Sequence, residues 1–265
     1  RGFRQCNVEG SRVVAQEAVR AHVRFVVHMS SSAVYGIPKV CPVKEQDVPH
    51  PAEQYGRSKL AGELAVKEVC QEGNLPLILI RPRTILGQGR LGIFQILFKW
   101  IREGKRVYLV GRGDNKIQFV HANDLINAYM LAVRLGKPGV YHVGTNRYGT
   151  MRSMLETLIA HAKSASKIHA LPVGPVVFGL GVLDALGLSP FAPWHYLGIH
   201  KDFYFDDDHA LQLNWKPKYS NAEMLCESYD DYLKQGGVAQ VAAGGRSPHR
   251  RAVGGWLIDL IEKLP

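Results

Sequence analysis

The feature that most constrains this chain is the unbroken apolar run at residues 75–81 (LPLILIR). A strand that is apolar on both faces has to be covered on both faces, which is the situation of a parallel strand between two layers of helices. The surrounding sequence agrees. Residues 24–29 (RFVVHM), 107–110, 117–120 and 139–143 are further short runs of strand type. Helical periodicity separates them at residues 7–21, 54–70, 93–103, 123–134 and 151–163. This alternation predicts an α/β fold built on a parallel sheet. Asn7 is expected to cap the first helix, with Val8, Val13, Val14 and Ala18 as its buried face. Leu60, Leu64 and Val69 are expected to play that part in the helix over 54–70. Ser220, with Glu223 three residues on, predicts a capping box at the last domain helix.

The rhythm breaks after residue 165. Residues 171–188 are apolar but contain Pro172, Pro175 and Asp184, and barely reach the length that crosses a bilayer. They are expected to pack as a helix in a small lobe, with Trp194 and Trp215 in its core. The predicted organisation is therefore residues 1–165 as a main domain that includes some lobe segments, 166–235 as the lobe, and 236–265 as a Gly/Ala-rich linker with a short amphipathic helix.

The formal net charge is +10 across 265 residues. The basic residues are scattered apart from Arg246, His249, Arg250 and Arg251, and no aromatic-and-basic interleaving marks a nucleic-acid module. No nucleic-acid partner and no stable membrane insertion are expected. The four cysteines, Cys6, Cys41, Cys70 and Cys226, form no C-x-x-C pair. They read as reduced and structural, as in a cytoplasmic protein. His195, His200 and His209 lack metal-ligand spacing, so no metal is expected.

The chemistry lies in Tyr55-Gly56-Arg57-Ser58-Lys59. Four residues apart on a helix, Tyr55 and Lys59 share a face. A phenol with a pKa of about 10 is a poor base, and a neighbouring ammonium favours its phenolate. The pair can then move a proton near neutral pH. Just upstream, Ser30-Ser31-Ser32 ends an apolar strand, and strand ends of parallel sheets are where ligands bind.

Four motifs in order, Ser30-Ser31-Ser32-Ala33-Val34-Tyr35-Gly36, Tyr55-Gly56-Arg57-Ser58-Lys59, Arg81-Pro82 and Phe119-Val120-His121-Ala122-Asn123-Asp124-Leu125, resemble the extended short-chain dehydrogenase/reductase family of the NAD-dependent epimerase/dehydratase type. The resemblance runs from about residue 7 to 233. It implies a Rossmann-like, doubly wound parallel sheet with a small C-terminal substrate lobe. It implies Ser31 as the catalytic hydroxyl, Tyr55 as the acid/base, and Lys59 as the residue that lowers the tyrosine pKa and holds the nicotinamide ribose. Pro82 would pack beside the nicotinamide, and Ser32 and Thr84 would meet substrate; Arg83, at the same strand end, reads either as a contact for an anionic substrate or as a surface charge. The cofactor implied is NAD or NADP, and the substrate a small molecule with a sugar-like secondary alcohol or ketone. A homodimer through residues 7–21 and the Tyr55–Lys59 helix is also implied. His121 and Asp124 resemble a structural helix start.

The sequence departs from the family at three places. The glycine-rich G-x-x-G-x-x-G loop that grips the dinucleotide pyrophosphate is absent, and Gly87, Gly89, Gly111, Gly113, Gly179 and Gly181 read as turn or packing glycines. N-terminal β-α units are therefore expected to be missing, leaving a truncated chain that binds the dinucleotide weakly. Thr84-Ile85-Leu86-Gly87-Gln88 stands where sugar-nucleotide members carry Asn-Val-Tyr-Gly-Pro. Ile117-Gln118 stands where they carry the Arg-Asp whose arginine holds a diphosphate. These departures raise a second reading, a 3β-hydroxysteroid-type dehydrogenase acting on a hydrophobic alcohol. A third is a non-catalytic binding protein on the same scaffold.

Overall fold

The computed structural model describes residues 2–89, 94–186, 198–206 and 214–237. Trp194, His195, His209, the tail arginines and most of the expected linker and terminal helix lie outside these residues. The chain divides into two compact units, each built from three stretches of sequence.

The first unit comprises residues 1–85, 118–147 and 202–219. Its centre is a parallel sheet of β1 (Val26–Met29), β2 (Leu77–Pro82) and β6 (Gly139–Val143), in the order β1-β2-β6. The apolar run at 75–81 is the central strand, as its two-faced hydrophobicity requires. On one face, Ile78, Ile80, Tyr141 and Val143 pack against Leu125, Ala128 and Ala132 of α5 (Ala122–Leu135) and against Trp215. On the other, Val26 and Leu77 meet Ala15 and Val19 of α2 (Gly10–Arg20) and Val66, Val69 and Cys70 of α3 (Gln54–Glu72). Thr84 opens the short β3 (Thr84–Leu86), which pairs with β5 (Phe119–His121).

Two helix faces differ from expectation. The first helix begins earlier, as a single turn α1 (Gly2–Arg4) running through a π-helical turn (Gln5–Glu9) into α2. Asn7 therefore lies inside the helical run and caps nothing. Its amide instead donates to Ser58 Oγ at 2.9 Å. Val13 and Val14 are 54% and 67% exposed, and Leu64 is 59% exposed. The buried face of α3 combines the small residues Gly56, Ser58, Gly62 and Ala65 with Glu63, Val66, Cys70 and the expected Val69. At Gly62 a methyl would collide with the Asn7 carbonyl, so close helix contact selects glycine there over the larger apolar side chains.

In the second unit, residues 86–117, 148–201 and 220–265, α4 (Phe94–Arg102) buries Phe98 against Tyr229 and Tyr232 of α8 (Asn221–Lys234). β4 (Val107–Val110) pairs in parallel with β7 (Ile168–Leu171), and α6 (Met151–His161) buries Met154, Leu155 and Leu158. The capping box at α8 forms as expected: Ser220 Oγ accepts from Glu223 N at 3.2 Å, and Glu223 Oε2 accepts from Ser220 N at 2.6 Å. The apolar run at 171–188 becomes α7 (Val173–Ala185), but none of its residues is buried and Phe178 is 76% exposed. Its expected role as packed lobe core is corrected accordingly. Among the described residues no helix is long and apolar enough to cross a membrane.

Candidate active site

The site is assembled at the C-terminal end of β1. The strand stops at Met29, Ser30 follows, and Ser31 caps a 3-10 turn (Ser32–Tyr35) by accepting from Ala33 N at 3.2 Å. This turn presses on the first turn of α3. A methyl at Gly56 would strike the Ala33 carbonyl, so the glycine after Tyr55 lets the helix close onto the serine turn.

Lys59 reaches back from α3 and donates from Nζ to Met29 O at 2.7 Å. The ammonium is thereby fixed at the strand end that also carries Ser31. Burial lowers its pKa, and the Glu63 carboxylate one turn further along α3 opposes that shift. Tyr55 lies one turn before Lys59 on the same helix and is partly exposed. Its ring centroid is 5.8 Å from that of Phe3. Pro82 ends β2, paired with Val143, and Thr84 is exposed just beyond it.

Beneath this surface lies a polar network that spacing alone does not predict. Glu63, 3% exposed, holds Arg81, 6% exposed, through two hydrogen bonds of 3.0 and 2.6 Å. Arg81 Nη1 donates to the Tyr35 hydroxyl at 2.5 Å, and that hydroxyl lies 2.8 Å from His142 Nε2. Burial pushes the Tyr35 phenol up to about 12 despite the opposing guanidinium. Burial, reinforced by Arg81, holds His142 down to about 3, and burial with the Lys59 charge holds His28 down to about 4. A signal for Glu63 did exist, since it continues the Tyr55–Lys59 spacing by one more turn. No local pattern points to His142.

Three motif residues have structural roles, Gln118 in the core and His121 and Asp124 at the helix start expected of them. Gln118 is fully buried. Its side chain donates to Thr145 O at 2.9 Å and accepts from Phe205 N at 2.9 Å, so it is a strut of the core. His121 caps α5 through Nδ1, which accepts from Asn123 N at 3.2 Å. Asp124 Oδ2 accepts from Lys218 N and Tyr219 N at 2.9 and 3.1 Å, anchoring the segment that follows Trp215. Among the described residues no cluster of side chains suits a metal ion, and the four cysteines are free thiols.

The neutral histidines make stability depend on pH. Both stay uncharged in the fold well below the ordinary histidine value of about 6.5, whereas the unfolded chain takes up protons there. Their contribution is full above about pH 6.5 and is lost as pH falls toward 4 and then 3. Urea midpoints are expected to fall between pH 7.5 and 4.5, and to fall less steeply in His142→Gln. Equal slopes in the two proteins would count against this assignment.

The α/β fold with its parallel sheet agrees with comparison to known proteins. The NAD dependent epimerase/dehydratase family model matches residues 2–144, more than half of the chain. The chain belongs to this family. The protein y4nG of Sinorhizobium fredii, described as uncharacterized, is 41% identical over 260 residues, covering 98% of this chain and 65% of that protein. The dTDP-D-glucose 4,6-dehydratase of Bos taurus is 24% identical over 244 residues, covering 86% of this chain and 66% of that protein. Among solved structures, UDP-glucuronic acid 4-epimerase from Bacillus cereus in complex with NAD superposes with a TM-score of 0.69 at 21% identity, covering 88% of this chain and 68% of that one. At that identity the likeness establishes the fold, an α/β architecture with parallel strands. This chain spans about two thirds of the length of the two relatives. The family match begins at residue 2 and lends no support to the N-terminal truncation expected from the missing glycine loop.

Proposed function

We propose that this chain carries the proton-transfer machinery of an NAD(P)-dependent epimerase or dehydratase acting on a nucleotide-linked sugar, with Ser31, Tyr55 and Lys59 as the catalytic residues. The observation that carries the reading is the Lys59–Met29 O contact, which sets the ammonium at the strand end where Ser31 stands, one helical turn from Tyr55. In this reading Ser31 orients the substrate oxygen, and Tyr55 takes up or returns the hydroxyl proton as the carbonyl forms or is reduced. Lys59 stabilises the phenolate. A strand-end hydroxyl with a tyrosine and a lysine on the adjoining helix suits a secondary alcohol whose carbon is oxidised and then reduced again.

The residues present fit the nicotinamide-ribose end of the dinucleotide. The Lys59 ammonium spends one N–H on Met29 O and keeps others for ribose hydroxyls, and Pro82 lies at the neighbouring strand end. The bound nicotinamide would supply hydride acceptance and donation. Ser32, Arg83 and Thr84 form the substrate side. The family match and the relatives that act on nucleotide sugars favour this reading over a steroid-type alcohol. It extends to a doubly wound main domain with a smaller substrate lobe, a cytoplasmic setting in keeping with the free thiols, and a homodimer through α2 and α3, whose Val13, Val14 and Leu64 stand exposed.

The test is to incubate the chain with NAD or NADP and UDP-glucose, UDP-glucuronate or dTDP-glucose, and to follow the sugar protons by NMR. A C4 epimer or a 4-keto product is expected from at least one of them. No conversion of any sugar with either dinucleotide would refute the proposal for this chain.

A further inference from the structure

Arg81 and Arg83 stand two residues apart where β2 ends, and their surroundings differ in one respect. Arg81 is neutralised by the Glu63 carboxylate at 2.6 Å. Arg83 is equally buried, at 6% exposure, and its partners are neutral. Its Nε donates to Gln118 O at 3.1 Å and its Nη1 to Ser32 Oγ at 3.0 Å. Its guanidinium lies 3.6 Å over the Phe203 ring and 5.7 Å from that of Phe205. Among the described residues no carboxylate forms an ion pair with it, and its second terminal nitrogen makes no hydrogen bond. Burial alone draws its pKa down to about 9, and the opposing influence comes from a thiol, Cys41.

A buried charge without a counter-charge is costly, and stacking on an aromatic ring offsets only about 2 kcal/mol of that cost. A strut holding Phe203 and Phe205 would not need a permanent cation. The guanidinium is tied to Ser32, the residue after Ser31, and is followed in the chain by the exposed Thr84. Its position is therefore beside the reacting centre. A planar fork with an unused nitrogen suits an oxyanion.

We infer that Arg83, with Ser32 and Thr84, forms an oxyanion-binding subsite beside Ser31, so that the substrate sugar bears a carboxylate or phosphate close to the carbon that reacts. The inference rests on the proposed Ser31–Tyr55–Lys59 site and adds the substrate's charge class to it. The subsite makes this chain a selector of anionic sugars, because a neutral sugar would leave the buried cation unpaired.

The experiment is a pair of titrations on the full chain. In the first, calorimetry compares UDP-glucuronate with UDP-glucose. The charged sugar is expected to bind at least about tenfold more tightly, and Arg83→Met is expected to abolish that difference. In the second, ligand-observed NMR compares D-glucuronate, D-glucose 6-phosphate and D-glucose, without nucleotide. A preference for glucuronate identifies a carboxylate subsite, and a preference for the phosphate identifies a phosphate subsite. Equal binding of the charged and neutral sugars by the native chain overturns the inference, even if Arg83→Met fails to fold. A preference that survives in folded Arg83→Met overturns it too. If neither nucleotide sugar binds but the free anionic sugars are selected through Arg83, the subsite stands and the nucleotide-sugar reading falls.

Discussion

Tyr55→Phe is expected to lower turnover by about 10²–10⁴-fold, the ordinary contribution of a positioned general acid or base. The variant keeps the ring and its contact with Phe3, centroid to centroid 5.8 Å, and removes only the hydroxyl. Tyr55 lies on the opening turn of α3 and is partly exposed. Little change in thermal melting is therefore expected, and the melting curve separates loss of chemistry from loss of fold. Lys59→Met should lose turnover as well, because the ammonium that favours the phenolate is gone. Turnover in Tyr55→Phe within a few-fold of the native chain would exclude Tyr55 as the proton-transfer residue.

The second large effect is on stability. Glu63→Gln leaves the Arg81 guanidinium buried beside a neutral amide, and removing one partner of a buried pair costs about 3–5 kcal/mol. Both groups are almost wholly enclosed, and the pair is bidentate, so solvent does little to screen the loss. The measurement is the urea midpoint at pH 7.5. Replacing both partners, as Glu63→Leu with Arg81→Met, should recover much of the loss, because no uncompensated charge then remains. Double and single variants of equal instability would show that shape, not charge pairing, is what the site needs. Glu63 also sits one turn from Lys59 and raises its pKa, so Glu63→Gln lowers the Lys59 pKa further below its ordinary value. The two predictions meet at one helix face: Tyr55 and Lys59 are the proposed catalytic pair, and Glu63 ties the same helix to β2.

Much of this arrangement is legible in the sequence, and the legible part is local. The run at residues 75–81 determines a strand covered on both faces. The spacing of Tyr55 and Lys59 determines that they share a helix face. Ser220 and Glu223 determine a capped helix start, because the donors and acceptors involved lie within three residues of each other. Ser31 at the end of a strand is also readable, since a strand stop and a polar turn are adjacent events in the chain. Such features depend on backbone geometry that repeats every two or three to four residues, and a short window contains all of it.

What only the tertiary structure decided is which side of each element faces what. Val13, Val14 and Leu64 have the periodicity of a buried face and yet face outward, because α2 and α3 bury a different face, the one carrying Ala15, Val66 and Val69. The partner of Arg81 lies 18 residues away on α3, and that of Arg83, Ser32, lies 51 residues away. Two arginines that look alike in Arg81-Pro82-Arg83 thus end in opposite circumstances, one neutralised and one not. Whether a side chain finds a counter-charge is set by which helix face meets which strand end. That depends on the packing of distant segments, for which a local sequence pattern has no term.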